Sequence, residues 1–165
     1  MQAKTEPNTQ KPKVFLGSDH GGFDLKNSAK KWLEQWGYEV EDLGAHSHDP
    51  VDDYPQYAFE VAEAVAAAPN QAVGLLFCRS GGGMAVAANK VPGVIAIEIN
   101  SVTAAEHAKL HNNANIASLS ADWLSDDQAR TIIKTFLTTA FSGDDRHFRR
   151  LAQISQYEQH QENQT

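Results

Sequence analysis

The chain has a single cysteine, Cys78, set in "LLFCRSGGGMAVAANK" between an apolar run and three consecutive glycines. A thiol at a strand end, beside a helix N-terminus and Arg79, is in the setting that lowers its pKa and makes a nucleophile or a base of it. The other reading is a small buried hydrophobe, the ordinary fate of an isolated cysteine. Gly81, Gly82 and Gly83 carry no Cβ, so their N–H groups can turn toward a phosphate or an oxyanion at the start of the next helix. The same glycines also suit a plain tight turn. No Gly-Lys-Ser/Thr follows, so this is not a Walker A loop, and Cys78 stands where a G-x-S-x-G elbow needs its first glycine.

Other reactive side chains come in pairs. Asp19 and His20 lie in "SDHGG", and His111 and Asn112 in "KLHNNAN". Histidine suits proton transfer near neutrality, and both pairs are expected to line one crevice at the carboxyl edge of a sheet. In "DRHFRR", Arg146 and Arg150 are four apart on one helix face and can bracket a phosphate; a solvated basic face is the alternative. "AHSHDP" groups His46, His48 and Asp49; the expectation is a solvated loop, with no metal assigned.

These residues need elements to position them. "KVFLGSD", "YEVEDLG", "AVGLLFC", "GVIAIEI" and "NIASLS" read as five strands. "AVGLLFC" is apolar throughout, as suits a parallel strand covered on both faces. Helices are expected from Phe23 to Trp36, over 56–68, from Met84 to Lys90, from Val102 to Leu110, from Ser125 to about Ala140, and from about Arg146 to Tyr157. The alternation predicts an α/β fold: a three-layer Rossmann-like domain with a five-stranded parallel sheet and a C-terminal helix. Its crevice is expected at the strands' carboxyl ends, near the switch in strand order.

With 165 residues, one domain is expected over 13–157, between a disordered N-terminal tail (1–12) and a polar C-terminal tail (158–165). A net charge of −7 argues against nucleic acid as a partner. No apolar run approaches the ~20 residues that span a bilayer, so no membrane partner is expected. The polar N-terminus has no secretory h-region, and a lone cysteine fits a reducing cytoplasm.

The segments "GSDHGGFDLK", "DDYPQYA", "CRSGGGMAVAANK", "HNNAN" and "GDDRHFRRL" together resemble the ribose-5-phosphate isomerase B family, which includes the subunits of galactose-6-phosphate isomerase. The resemblance runs from about Lys13 to Ile154. It implies a metal-independent, cofactor-free aldose–ketose isomerase acting on a phosphorylated sugar, in homodimers or dimers of dimers whose sites draw on both chains. It also implies roles: Cys78 as the catalytic base, Ser80 beside it, His111 opening the sugar ring and Asn112 donating to the enediolate. Asp19 and Tyr54 match sugar-contacting positions. His20, Arg146 and Arg150 match the phosphate site, with His147 beside them.

Three positions depart from the family. Arg79 replaces a glycine, Ile95 replaces an arginine, and "SAD" with Ser120 and Asp122 replaces Gly-Ala-Arg. An arginine at positive φ is strained, so an altered loop is expected. Asp122 repels a phosphate, and Arg79 is expected to restore charge lost at 95 and 122. The readings kept open are a substrate-shifted isomerase and a non-catalytic sugar-phosphate binding module. A receiver-type or flavodoxin-like domain shares the sheet, but Cys78 occupies the place of a receiver's phosphoacceptor aspartate.

Overall fold

The computed structural model describes residues 11–163; the expectations for residues 1–10 and 164–165 lie outside that range. Strands and helices alternate as β1 (Lys13–Ser18), α1 (Phe23–Gln35), β2 (Val40–Asp42), α2 (Tyr54–Ala66), β3 (Ala72–Cys78), α3 (Gly82–Ala88), β4 (Ala96–Glu98), α4 (Val102–Leu110), β5 (Ile116–Ser120), α5 (Asp126–Thr138) and α6 (Asp145–Glu162). A 3-10 turn, His20–Gly22, joins β1 to α1. The five strands form one parallel sheet in the order β2-β1-β3-β5-β4. The chain therefore reverses its direction across the sheet between β1 and β3, where such folds place ligands.

Two apolar layers enclose the sheet. Leu25, Ala29 and Leu33 of α1 pack with Ile132, Ile133 and Phe136 of α5 on one face. Ala58, Val61 and Val65 of α2 pack with Met84 and Ala88 of α3 on the other. All seven residues of β3 are buried, as its unbroken apolar run predicts. β2 and β4, at the edges, are only three residues long, shorter than the expected runs because each has a partner on one side alone. Ser125 and Gln128 cap α5 reciprocally, with Gln128 N–H donating to Ser125 Oγ at 3.3 Å and Ser125 N–H to Gln128 Oε1 at 2.9 Å. α6 continues past the expected end at Tyr157 to Glu162, since "SQYEQHQE" holds no glycine or proline to stop it.

Lys26, from the "GSDHGGFDLK" segment, is fully buried. Its Nζ donates to Asp42 Oδ1 at 2.6 Å and to the Ala45 carbonyl at 2.7 Å. It thus ties α1 to the exit of β2, a structural task.

Gly22 lies where a Cβ would fall 2.3 Å from the Phe77 carbonyl carbon and oxygen. Gly22→Ala is therefore expected to lower stability by about 2 kcal/mol or more, because backbone cannot move aside as a side-chain tip can. Urea unfolding reads this directly; an unchanged midpoint contradicts it.

Candidate active site

At the carboxyl edge of the sheet, β1 and β3 end side by side, with Ser18 paired to Phe77. Cys78 is the last residue of β3 and is 5 % exposed. Its Sγ accepts the Gly81 N–H at 3.1 Å, which the left-handed φ of +86° at Gly81 makes possible. Burial pushes the Cys78 thiol up; the backbone N–H groups of Gly81, Met84 and Ser80 pull it down, and the Asp19 carboxylate adds to the rise. The lowered thiol expected from the helix N-terminus and Arg79 is thus not what the fold produces. Desolvation outweighs the loop's N–H groups, and the Arg79 side chain is turned to solvent, 65 % exposed.

The glycine loop is braced from β5. Ser118 Oγ donates to the Gly81 carbonyl at 2.6 Å and Ser120 Oγ to the Arg79 carbonyl at 2.5 Å. Ser118 escaped the sequence reading, and Ser120 entered it only as a departure from the family. Their signal was polarity at alternate positions of an otherwise apolar strand. The Glu98 carboxylate also reaches this loop, with Oε2 3.2 Å from where a Gly82 Cβ would stand. Ser80 is half-buried in the same turn. The Tyr54 ring lies so close over Gly83 that a Cβ there would meet Cζ at 2.8 Å.

Asp19 is buried, and its Oδ1 accepts the Gly22 N–H at 3.0 Å. Burial raises its pKa, and the neighbouring Asp52 charge adds to the rise. Asp52 was not singled out from the sequence, although it lies in "DDYPQYA". It accepts from both the ring and the backbone of His20, with His20 Nδ1 2.7 Å and His20 N 3.0 Å from Oδ1. Burial opposes its ionisation, but the His20 and Tyr57 hydrogen bonds win and hold it below the usual carboxylate value. Asp19, His20 and Asp52 are, among the described residues, the group whose possible metal-ligand atoms converge. Asp19 Oδ1 is engaged by the Gly22 N–H and Asp52 Oδ1 by His20, whereas Asp52 Oδ2 is buried with no hydrogen bond of normal geometry. His46, His48 and Asp49 are exposed, with the His48 ring 6.1 Å from that of His20.

The second expected half of the site lies elsewhere. His111 caps the carboxyl end of α4, before β5. All the strands run parallel, so this loop is at the amino edge of the sheet, and the expectation that both histidine loops share one edge is wrong for a single chain. Ile116 pairs with Gly74 and Ser120 with Cys78. At ~3.3 Å per residue, this register alone separates the levels of Ile116 and Cys78 by roughly 13 Å. His111 lies farther still, beyond Asn112–Asn115.

His111, with exposed Asn112 beside it, belongs to a row of imidazoles. The His107 and His111 ring centroids are 4.7 Å apart, and those of His111 and His147 4.8 Å. His147 is buried, and its Nδ1 lies 2.8 Å from Ser142 Oγ. Burial, joined by the charges of Arg146 and His111, lowers its pKa. Arg146 is exposed, 3.7 Å from Asp144, and Arg150 is exposed on the same helix. Among the described residues, hydrogen bonds, ion pairs and ring contacts run within each group and none joins the two. A cavity of about 750 Å³ opens at this amino edge, lined by Lys13, Ala72, Lys109 and Asn113, away from Cys78.

The departures resolve in similar terms. Asn70 and Asn113 are the non-glycine residues with positive φ among those described, so Arg79 fits its loop without left-handed strain. Its Nη1 lies 3.6 Å from Asp122 Oδ1: the two departures pair with each other. Ile95 precedes β4, at the far edge. Arg79 therefore offsets Asp122 and is remote from position 95 in the same chain.

The fold and these segments have counterparts. The Ribose/Galactose Isomerase family matches residues 14–154. A probable ribose-5-phosphate isomerase B of Mycoplasma pneumoniae is 39 % identical over 145 residues, 88 % of this chain and 94 % of that protein. The ribose-5-phosphate isomerase B of Mycobacterium tuberculosis is 37 % identical over 146 residues, 88 % of this chain and 90 % of that protein. The crystal structure of ribose-5-phosphate isomerase B from Mycoplasma genitalium with bound ribulose-5-phosphate superposes with a TM-score of 0.87 at 39 % identity, covering 89 % of this chain and 96 % of that one. With matches of this extent, the five-stranded parallel domain carrying Cys78 and its glycine loop belongs to the ribose/galactose isomerase family.

Proposed function

We propose that the chain is an aldose–ketose isomerase converting ribose 5-phosphate to ribulose 5-phosphate, or a close relative, through a cis-enediolate. The observation that carries this reading is the Cys78 thiol seated under the glycine-loop N–H groups beside Asp19, in a chain so similar to a protein crystallised with ribulose-5-phosphate.

The chemistry follows from the groups present. His111 moves a proton on the ring oxygen to open the sugar. The Cys78 thiolate takes the proton from C2, and the electron pair left behind forms the C1–C2 double bond of the enediolate. The thiol then returns the proton to C1, the C2 hydroxyl proton passes to the C1 oxygen, and the carbonyl re-forms at C2. Asn112 and the N–H groups of Gly82 and Gly83 face the charge on the enediolate oxygens, while the Gly81 N–H stays on the Cys78 sulfur. Asp19 and Tyr54 hold sugar hydroxyls, and Ser80 steadies the turn beside the thiol. His20, Arg146 and Arg150, with His147 behind them, bind the phosphate, and that remote binding energy fixes the reacting carbons.

Cys78 and His111 stand at opposite sheet edges, so this chemistry needs two chains. The site pairs the carboxyl edge of one protomer with the α4–β5 loop and α6 of another. α6 supports this: Ile154 and Tyr157, three apart on one face of it, are more than half exposed, an apolar pair that a second copy covers. A homodimer, or a dimer of dimers, in the cytoplasm follows as part of the proposal; among the described residues no helix is long and apolar enough to cross a membrane.

The second reading, a non-catalytic sugar-phosphate binding module, draws on Asp122, a carboxylate where the family carries arginine. A coupled assay over four- to six-carbon aldose and ketose phosphates, with Cys78→Ala as control, separates the two. Turnover by the native chain alone supports the isomerase; binding of these compounds without turnover supports the module.

Arg79 has its own test. Its Cγ lies 2.6 Å from where a Gly21 Cβ would stand, so its stem crosses the turn that carries His20. Arg79→Ala leaves Asp122 unpaired near the phosphate and is expected to raise KM by about tenfold or less, the effect of a single near-surface charge. Adding Asp122→Ala is expected to recover most of the loss. Equal KM in Arg79→Ala and native protein removes Arg79 from the site.

A further inference from the structure

We propose that Asp52 is a positioning residue: it fixes which ring nitrogen of His20 carries the hydrogen and turns the other, Nε2, toward a phosphate oxygen of the substrate. This role rests on the phosphate contact assigned above to His20; the state of the ring itself is readable without turnover.

Asp52 comes from the loop ahead of α2, 32 positions from His20. Its Oδ1 lies 2.7 Å from His20 Nδ1 and accepts the His20 backbone N–H at 3.0 Å. One oxygen thus holds both the ring and the main chain of His20, which ties the ring's direction to the turn. Burial pushes the Asp52 carboxyl up, but the His20 and Tyr57 hydrogen bonds outweigh it and hold it below its ordinary value. Asp52 is therefore ionised near neutrality. An ionised carboxylate only accepts, so Nδ1 is the donor and Nε2 is the ring nitrogen left for a ligand. Exposure agrees: the Asp52 side chain is 3 % exposed and that of His20 22 %, so the ring has a protein side and a crevice side. The His48 ring stands edge-on to it at 6.1 Å, and the Arg79 stem crosses the same turn at Gly21. A carboxylate behind a histidine is the arrangement that sets tautomer and direction in metal-bound and catalytic imidazoles.

The other oxygen of the same carboxylate points to function as well. Asp52 Oδ2 is buried with no hydrogen bond of normal geometry. A buried carboxylate with an oxygen so poorly matched adds little to stability, and an apolar side chain of its size is often as good. Stability alone does not account for an aspartate at this position; control of His20 does.

The test uses the full-length protein carrying nitrogen-15 in its histidines. Long-range proton–nitrogen spectra, taken above the ordinary histidine range, show which ring nitrogen carries hydrogen; His20→Ala assigns the signal. Native His20 is expected in the Nδ1–H form, the opposite of what free neutral histidine prefers. Asp52→Asn keeps an oxygen where both N–H groups point and is expected to keep that form. Asp52→Leu, close in size and without an acceptor, is expected to revert to Nε2–H. In the assay, Asp52→Leu raises KM for the sugar phosphate and Ki for inorganic phosphate about tenfold, the worth of one charge-assisted hydrogen bond. Its kcat stays within about threefold of native, as loss of a binding contact alone requires. Asp52→Asn recovers most of the loss. In a His20→Ala background, Asp52→Leu adds little, because residues acting through one contact do not add. Native His20 in the Nε2–H form overturns the role whether or not any variant folds. Unchanged KM and Ki in Asp52→Leu overturn it too, as does a penalty undiminished without His20, which marks Asp52 as merely structural. Calorimetry with inorganic phosphate reads binding without turnover. A chain that isomerises nothing, yet shows the ring form and weaker phosphate binding in Asp52→Leu, keeps the positioning role and removes the assigned reaction instead.

Discussion

Cys78→Ala is expected to lower kcat by about 10²–10⁴-fold, the range a positioned general base contributes, with KM little changed. The side chain is small and 5 % exposed, so its loss leaves the fold intact. In the proposed site other groups hold the sugar's hydroxyls and phosphate, so binding is expected to survive. Cys78→Ser is expected to fail almost as badly, because a hydroxyl in the same place does not ionise near neutrality. A purely structural cysteine predicts the opposite: near-native kcat in both variants. The pH profile carries a second signature. Burial raises the thiol, so the thiolate fraction in the free enzyme is small at neutral pH. kcat/KM is therefore expected to climb with pH and to level off above the ordinary thiol range. A profile flat across that range removes the thiolate from the mechanism.

Mixing two inactive variants is expected to restore activity. Cys78→Ala supplies an intact His111, and His111→Ala supplies an intact Cys78. If each site takes its sulfur from one chain and its imidazole from the other, every mixed dimer holds one complete site and one that lacks both groups. Equal mixing makes about half of the dimers mixed, so about a quarter of native activity returns, as random pairing of a two-fold assembly requires. The signal stands against a background lowered by orders of magnitude in each parent, since ring opening and enolisation both lie on the path. Refolding the variants together lets chains exchange; each refolded alone is the control. No recovery in the mixture, with mixed dimers confirmed by mass, places both groups in one chain, contrary to the strand register.

The elements and the small motifs are legible in local patterns of residues. Five apolar runs and the periodic helices are local signals, and the strands and helices follow them closely. The Cys78–Gly83 turn and the Asp19–His20 pair were legible for the same reason, since neighbouring residues largely dictate such turns. Tertiary structure decided everything that depends on direction or distance. It sent the His111 loop to the amino edge, because every strand runs the same way and α4 must return before β5 begins. It raised the Cys78 thiol, because desolvation sums over every atom packed around the sulfur, none of them named by a motif. It joined Asp52 to His20 across 32 positions, set Ser118 and Ser120 under the glycine loop, and paired Arg79 with Asp122. Each of these pairings is long-range, and electrostatics and packing depend on where atoms meet in space, which spacing along a chain does not encode.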